Sequence, residues 1–331
     1  MRKKWLTRFG TVIMSVSLFS SCMKKETPLP LPPAGNAAFT QVDQGPDYST
    51  QVFFSFDNGV VSSSQCNSWD IAIANNADSP ELWLNGGQNV FIHATDATDF
   101  SAVTTADGVT GWKYDASSAQ PGQSALGNLV SHNELGKVLL IKTGGSTPKY
   151  YKIILSVSDG NQLIIKSGHI DAVAPETITT DIDANYNFTY FSFDSGVVKP
   201  EPPKADWDIV FTFYRHIYID YNGPGQDMPY TLSGVLLNPY KTEGAADSTA
   251  SKDFNDFDLT DAESLNYTND REIIGFDWKI VDINTASYTV NPNKLYVVQT
   301  QDGAWWKLHF TTYYNAQGEK GSPGFEYLRL Q

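Results

Sequence analysis

Few side chains in this 331-residue chain can do chemistry, and their spacing excludes more than it suggests. The five histidines are His93, His132, His169, His216 and His309. None falls in an HExxH pair, no serine sits in GxSxG, and no glycine run has phosphate-loop spacing. The positioned groups of metalloprotease, hydrolase and nucleotide chemistry are therefore missing, and an enzyme is not expected. Of the two cysteines, Cys22 lies near the start and Cys66 is left alone, with no CxxC, so neither an internal disulfide nor structural zinc is expected. The acidic run GAADSTASKDFNDFDLTDAE (244–263) offers Asp247, Asp253, Asp256, Asp258, Asp261 and Glu263. Calcium takes such oxygens, but Asp258 stands where an EF-hand loop needs glycine, and a solvated loop is the simpler reading. The aromatics Trp83, Trp112, Tyr218 and Tyr221 would suit stacking against a sugar. What remains is a binding protein.

The scaffold for these groups is written twice. VFFSFDNGVV (52–61) returns as TYFSFDSGVV (189–198), and Trp69-Asp70-Ile71 returns as Trp207-Asp208-Ile209. Asn85-Gly86 is answered by Asn222-Gly223, GKVLLIKT (136–143) by NKLYVVQT (293–300), and Tyr150-Tyr151-Lys152 by Trp305-Trp306-Lys307. The offset grows from about 137 to about 155, so the second copy carries roughly 20 extra residues. A period this long implies two copies of a domain rather than a solenoid. Because both copies hold the phrase, it reads as scaffold: aromatics under a sheet, with Asp70 and Asp208 capping a loop or accepting from a backbone N–H.

Runs such as VLLIKT, YYKIILSV, QLIIKSG, KLYVVQT and WWKLHFTTYY are short, β-branched and aromatic, and bounded by Gly, Asn, Asp or Pro. Asn58-Gly59, Asp159-Gly160, Asn222-Gly223 and Asp302-Gly303 supply turns. Only TDAESLNYTNDREI is allowed as a helix. The fold class that follows is all-β, two tandem antiparallel β-sandwich-like domains at 37–173 and 174–331, with the boundary in the polar stretch 171–187.

Before the first copy, the basic head MRKKWLTRFG, the apolar run TVIMSVSLF and Ser20-Ser21-Cys22 read as a signal peptide over 1–21. Cysteine at the cleavage point resembles a bacterial lipobox, with Phe19 departing from the usual aliphatic residue; acyl chains on Cys22 would anchor the chain. Residues 22–36 form a Pro-rich tether favouring polyproline II. MKKE resembles signals that send Bacteroidetes lipoproteins to the outer face of the outer membrane. The formal charge of −14, more negative once the basic leader is gone, argues against nucleic acid.

TYFSFDSGVV, ADWDIVFTFYRHIYIDYNG and NKLYVVQTQDGAWWKLHFTTYYNAQGEKGSPGFEYLRL together resemble the HmuY family of Bacteroidetes heme-binding surface lipoproteins. The resemblance covers the second copy (about 180–331) almost end to end and the first (about 45–170) more thinly. It implies heme held by two axial ligands, His or in some branches Met, and delivery to a TonB-dependent receptor. In the second copy the segment where the family places ligands, 222–292, contains no histidine and one thioether, Met228. Heme iron accepts His, Met, Tyr or Cys. The candidate ligands there are Met228, Tyr230 and Tyr267, with His216 on a strand just before. His93 and His132 of the first copy form an alternative pair, and His309 reads as solvent-facing. Two functions stay open: heme capture, favouring the second copy, or a non-heme surface module for glycan or protein.

Overall fold

A computed structural model describes residues 37–145, 147–247, 249, 252–291 and 293–330. The signal peptide, the tether and Cys22 lie outside the described residues. The described residues form one compact unit whose sheets are all antiparallel.

The repeat is legible strand by strand. It opens with β1 (Ala38–Gln41), β2 (Thr50–Ser55) and β3 (Gly59–Gln65), and opens again with β10 (Glu176–Asp181), β11 (Phe188–Ser192) and β12 (Gly196–Val198). The hairpins β2–β3 and β11–β12 are the doubled phrase. Each turns through a glycine at positive φ, Gly59 at 77° and Gly196 at 74°, where a side chain would be strained. The first copy continues with β4 (Ile71–Ala74), β5 (Leu82–Leu84), β6 (Phe91–Ala94), β7 (Leu139–Lys142), β8 (Tyr150–Val157) and β9 (Gln162–His169). The second continues with β13 (Ile209–Tyr218), β14 (Met228–Leu237), β15 (Glu243–Asp247), β18 (Leu295–Gln299), β19 (Trp305–Tyr314) and β20 (Lys320–Leu330). Between β15 and β18 it adds the short helix α1 (Leu259–Glu263) and a ribbon of β16 (Lys279–Asp282) and β17 (Ser287–Val290). The stretch allowed as a helix is thus helical only over α1.

Two β lobes form, as two tandem sandwiches require, but each takes its opening strands from the other copy. One lobe stacks the sheets β10-β9-β8-β7-β6 and β12-β11-β4-β5; the other stacks β1-β20-β19-β18-β15 and β14-β13-β2-β3. Thus Phe53 of the first copy pairs with Val210 of the second, and Tyr190 of the second with Ala72 of the first. The polar stretch 171–187, read as a boundary, contains β10, which is an edge strand of the first lobe. Each lobe's core is correspondingly mixed: Phe191, Phe193 and Val197 pack with Ile71, Leu82, Ile141 and Ile153, while Phe54 and Phe56 pack with Phe211, Trp278, Phe310 and Phe325. Phe54 meets Phe325 edge-on at 5.1 Å, and Trp278 stacks on Phe310 at 3.9 Å.

Reciprocal polar contacts fasten the exchange. The Asp208 carboxylate accepts from Phe56 N at 2.8 Å, and that of Asp70 accepts from Phe193 N at 2.8 Å. Each aspartate therefore ties its own strand to the phrase of the other copy. Burial pushes both carboxyls up, that of Asp208 to about 6. Buried lysines repeat as well: Lys152 Nζ donates to Phe100 O and Val103 O, and Lys307 Nζ to Phe254 O and Phe257 O.

One sequence equivalence needs correction. Asn85 Nδ2 donates to Cys66 O and Trp69 O; the residue doing this in the second copy is Asn238, donating to Lys204 O and Trp207 O. Asn222-Gly223 instead lies in the turn joining β13 to β14. Fifteen residues separate Asp70 from Asn85, and thirty separate Asp208 from Asn238. Most of the second copy's extra length is therefore one long hairpin.

Candidate functional site

That hairpin is the feature the first copy lacks. Its ten-residue strands pair in register from Ile209–Leu237 out to Tyr218–Met228. Alternation along β13 gives it two different faces.

One face carries His216 opposite Tyr230 and Tyr218 opposite Met228. Directly opposed residues of an antiparallel pair share a face, so three of the sequence candidates, Met228, His216 and Tyr230, come together. His216 Nδ1 lies 2.7 Å from Glu272 Oε1, and the Tyr214 hydroxyl donates to the same oxygen at 2.7 Å. Burial first, and then the nearby Glu272 charge, hold the Tyr214 hydroxyl protonated. Around the imidazole, Tyr218 packs edge-on at 4.5 Å and Phe276 at 4.9 Å, with Tyr221 and Tyr230 next to Tyr218. Tyr221 and Tyr230 remain more than half exposed. The result is an aromatic surface with one imidazole fixed in it. A neutral His216 that donates from Nδ1 to the carboxylate keeps its lone pair on Nε2, the arrangement used to orient metal-binding histidines.

The other face carries Ile217 and Ile219, which border an open cleft of about 660 Å3 with Trp112, Tyr114, Gln123 and Asp227. Its far wall is the 112–125 segment of the first copy. Deeper along the same face, Arg215 stacks on Phe91 at 4.4 Å and its Nη2 donates to Val90 O. The turn at Gly86-Gly87 sits directly on β13, where a Cβ on Gly87 would meet Phe213 O at 2.2 Å.

The other candidates lie elsewhere. Tyr267 packs edge-on against Trp305 and donates to Ala262 O, away from the hairpin face. His93 lies on β6 beside Trp112, at 6.0 Å between ring centroids. His132 Nδ1 contacts Leu126 O at 2.6 Å in a turn after β6. The two first-copy histidines occupy separate surroundings. His309, read as solvent-facing, is only 14% exposed, stacked on Phe254 and paired with Glu326. Trp83 borders an inner cavity between the lobes rather than an open surface. Among the described residues no group of three or more His, Cys, Asp or Glu gathers as a metal ion would require. Of the acidic run, Asp258 and Asp261 form a capping box on α1, and Lys252 pairs with Asp261. No described helix is long and apolar enough to cross a membrane. Glu272 and Phe276 were not foreseen; they stand more than fifty residues from His216 in sequence, and nothing local marks them.

The chain is similar in structure to a HmuY-like protein described as a putative heme-binding protein from Bacteroides vulgatus, at 15% identity, covering 88% of this chain and 90% of that one, with a TM-score of 0.23. It is similar also to apo PinO from Porphyromonas gingivitis (9% identity, 90% and 99% covered, TM-score 0.30) and to the Tannerella forsythia apo HmuY analog (11%, 89% and 96%, TM-score 0.25). No curated protein sequence matches the chain. The family model for HmuY protein matches twice, over residues 47–181 and 184–327. Since those two matches cover most of the chain and fall on its two copies, the chain belongs to the HmuY family and carries that family's unit in tandem.

Proposed function

We propose that this protein binds heme on the His216 face of the β13–β14 hairpin, as a lipid-anchored protein of the outer cell surface that delivers heme to a TonB-dependent receptor. One observation carries the reading: an imidazole held through Nδ1 by Glu272, set among Tyr218, Tyr221, Tyr230, Phe276 and Met228. The residues suit the group. Heme offers two broad apolar faces that gain from leaving water against aromatic walls, and an iron that accepts imidazole. His216 and Met228 approach from the same side of one sheet, as diagonal neighbours about 7–8 Å apart. In this reading His216 ligates, while Met228 and the tyrosines pack. The family membership supports heme as cargo, and the family's ligand segment is where Met228 falls.

Hemin titrated into the intact chain should give a shifted, saturable Soret band. His216→Ala should abolish that shift, and Met228→Ala should weaken binding while leaving the band in place. Free-hemin spectra from the wild-type chain would sink the proposal; loss with His93→Ala but not His216→Ala would move the site to the first copy. The anchor is tested separately: Cys22→Ala should release the protein from the membrane fraction, and retention there would refute lipidation at Cys22.

A second reading rests on the opposite hairpin face. The Trp112 cleft, with Gln123 and Asp227 on its walls, has the aromatic-plus-polar lining of a sugar site and a volume within the range of about 300–1,000 Å3 for small-ligand pockets. A calorimetric glycan screen in which Trp112→Ala removes the heat, with His216→Ala silent, would favour it.

A further inference from the structure

The two lobes meet through the outer faces of their four-stranded sheets, and the contact is not filled. A cavity of about 120 Å3 lies there, lined from both copies. Repeat-related residues face it in pairs: Trp69 and Trp207, Phe53 and Tyr190, Ala72 and Val210. It thus lies on the approximate two-fold axis that relates the copies.

Its polar lining is one-sided. Among the described residues, three that line it carry a buried N–H donor with no partner: Trp69 Nε1, Trp207 Nε1 and Arg215 Nε. Trp207 is 1% exposed and Arg215 6%. Arg215 is not free to swing away, because Phe91 stacks on its guanidinium and Val90 O takes Nη2. The side-chain acceptors on the same wall each already take a donor. Asp115 takes Leu84 N on one oxygen and Ala125 N on the other, Gln51 Oε1 takes the Thr212 hydroxyl, and Asn85 Oδ1 takes Gln88 N. No buried side-chain acceptor of the described residues on this wall is left without a partner.

An unmet buried donor is costly, and three in one cavity ask for a common acceptor. Water satisfies them incompletely, because each water brings two O–H donors that need acceptors of their own. A carboxylate brings two acceptor oxygens and no donor, and charge strengthens each bond. Two guanidiniums, Arg215 and Arg271, line the cavity against the single carboxylate of Asp115. The remaining wall, with Phe53, Ala72, Val210 and Leu236, is apolar.

We propose that this cavity is a binding site for a small monocarboxylate, whose oxygens take the N–H groups of Trp69, Trp207 and Arg215 and whose alkyl end lies on the apolar wall. The volume admits an acetate-sized anion and excludes a porphyrin, so the site is separate from the hairpin face and does not depend on heme binding.

The test uses the intact folded chain with acetate as probe, titrated against chloride at equal ionic strength and fixed pH. Saturation-transfer NMR of the acetate methyl should report binding, and the melting temperature should rise saturably. Trp207→Phe and Trp69→Phe keep an aromatic ring but remove a donor; each should weaken acetate about tenfold or more, while Trp305→Phe, which does not line the cavity, leaves it unchanged. The proposal is overturned if wild-type protein shows neither transfer nor saturable stabilisation, which would mean ordered water only. It is equally overturned if the two indole variants bind acetate as the wild type does. Should one variant fail to fold, the wild-type titration and the other variant still decide.

Discussion

The hairpins β4–β5 and β13–β14 occupy the same place in the repeat and have become different objects. Both leave from a Trp-Asp pair and return to an asparagine that closes the loop on that tryptophan's carbonyl. Between those fixed points the first copy turns back after strands of four and three residues, while the second runs ten residues out and ten back. His216, Tyr218, Met228 and Tyr230 all lie on the longer one, and the first copy has no positions equivalent to its outer half. The clasp is shared, and the difference lies at the far end of the hairpin. An antiparallel hairpin can lengthen at its tip without changing register at its base, so new side chains can be added there at little cost to the lobe.

The clasp also makes the copies interdependent, and the most drastic way to probe the comparison is to separate them. Residues 37–172 expressed alone lack the β10–β12 segment that completes their lobe, and residues 174–331 lack β1–β3. Each half should be unfolded or should pair with a second copy of itself by exchanging opening strands; the two co-expressed should copurify as one stable complex. Size-exclusion chromatography and circular-dichroism melts read this directly. Two monomeric halves, each with its own cooperative melt, would show that the exchange is not needed for folding.

A smaller effect sharpens the comparison between the paired aspartates. Burial, aided by Asp57 and Asp302, raises the Asp208 carboxyl to about 6, against about 3.9 in an unfolded chain. The folded state therefore holds this proton more tightly than the unfolded chain does. The associated stability is fully present below about pH 4 and is lost as pH rises through about 6, a difference of at most about 3 kcal/mol. Asp208→Asn keeps an oxygen for Phe56 N and removes the titration, so melting temperature should fall less steeply between pH 4 and 7. Asp70 is raised in the same sense and is less enclosed, so Asp70→Asn should flatten the curve less. Asp115, which burial pushes to about 7, remains in both variants and keeps part of the slope. An unchanged slope in Asp208→Asn would show that this carboxyl is not displaced.

The repeat, the all-β class, the turns at Gly59 and Gly303 and the scaffold role of Asp70 and Asp208 were legible because each rests on a local pattern or on a copy to compare it with. The site was legible in part. Met228, His216 and Tyr230 could be named from residue type, and only strand register showed that they share a face while Tyr267 does not. The equivalence of Asn85 with Asn238 was missed because the longer hairpin moves the matching asparagine fifteen residues along, and another Asn-Gly happens to stand at the expected offset.

Local chemistry thus determined the elements: alternation and β-branching make strands at each position of the copy, and glycine sets the turns between them. Which strands would pair was decided only by the tertiary structure. The two opening hairpins are nearly the same sequence, so the shared phrase by itself does not name its partner, although Thr189, where the first copy has Val52, donates to Asn75 of the lobe it joins. The choice follows from chain connectivity and from contacts more than a hundred residues apart, such as Asp208 with Phe56 and Asp70 with Phe193. The same long-range closure brought Glu272 to His216 and set three unmet donors around one cavity. Sequence separation hides such contacts because only the folded chain brings their partners within hydrogen-bonding distance.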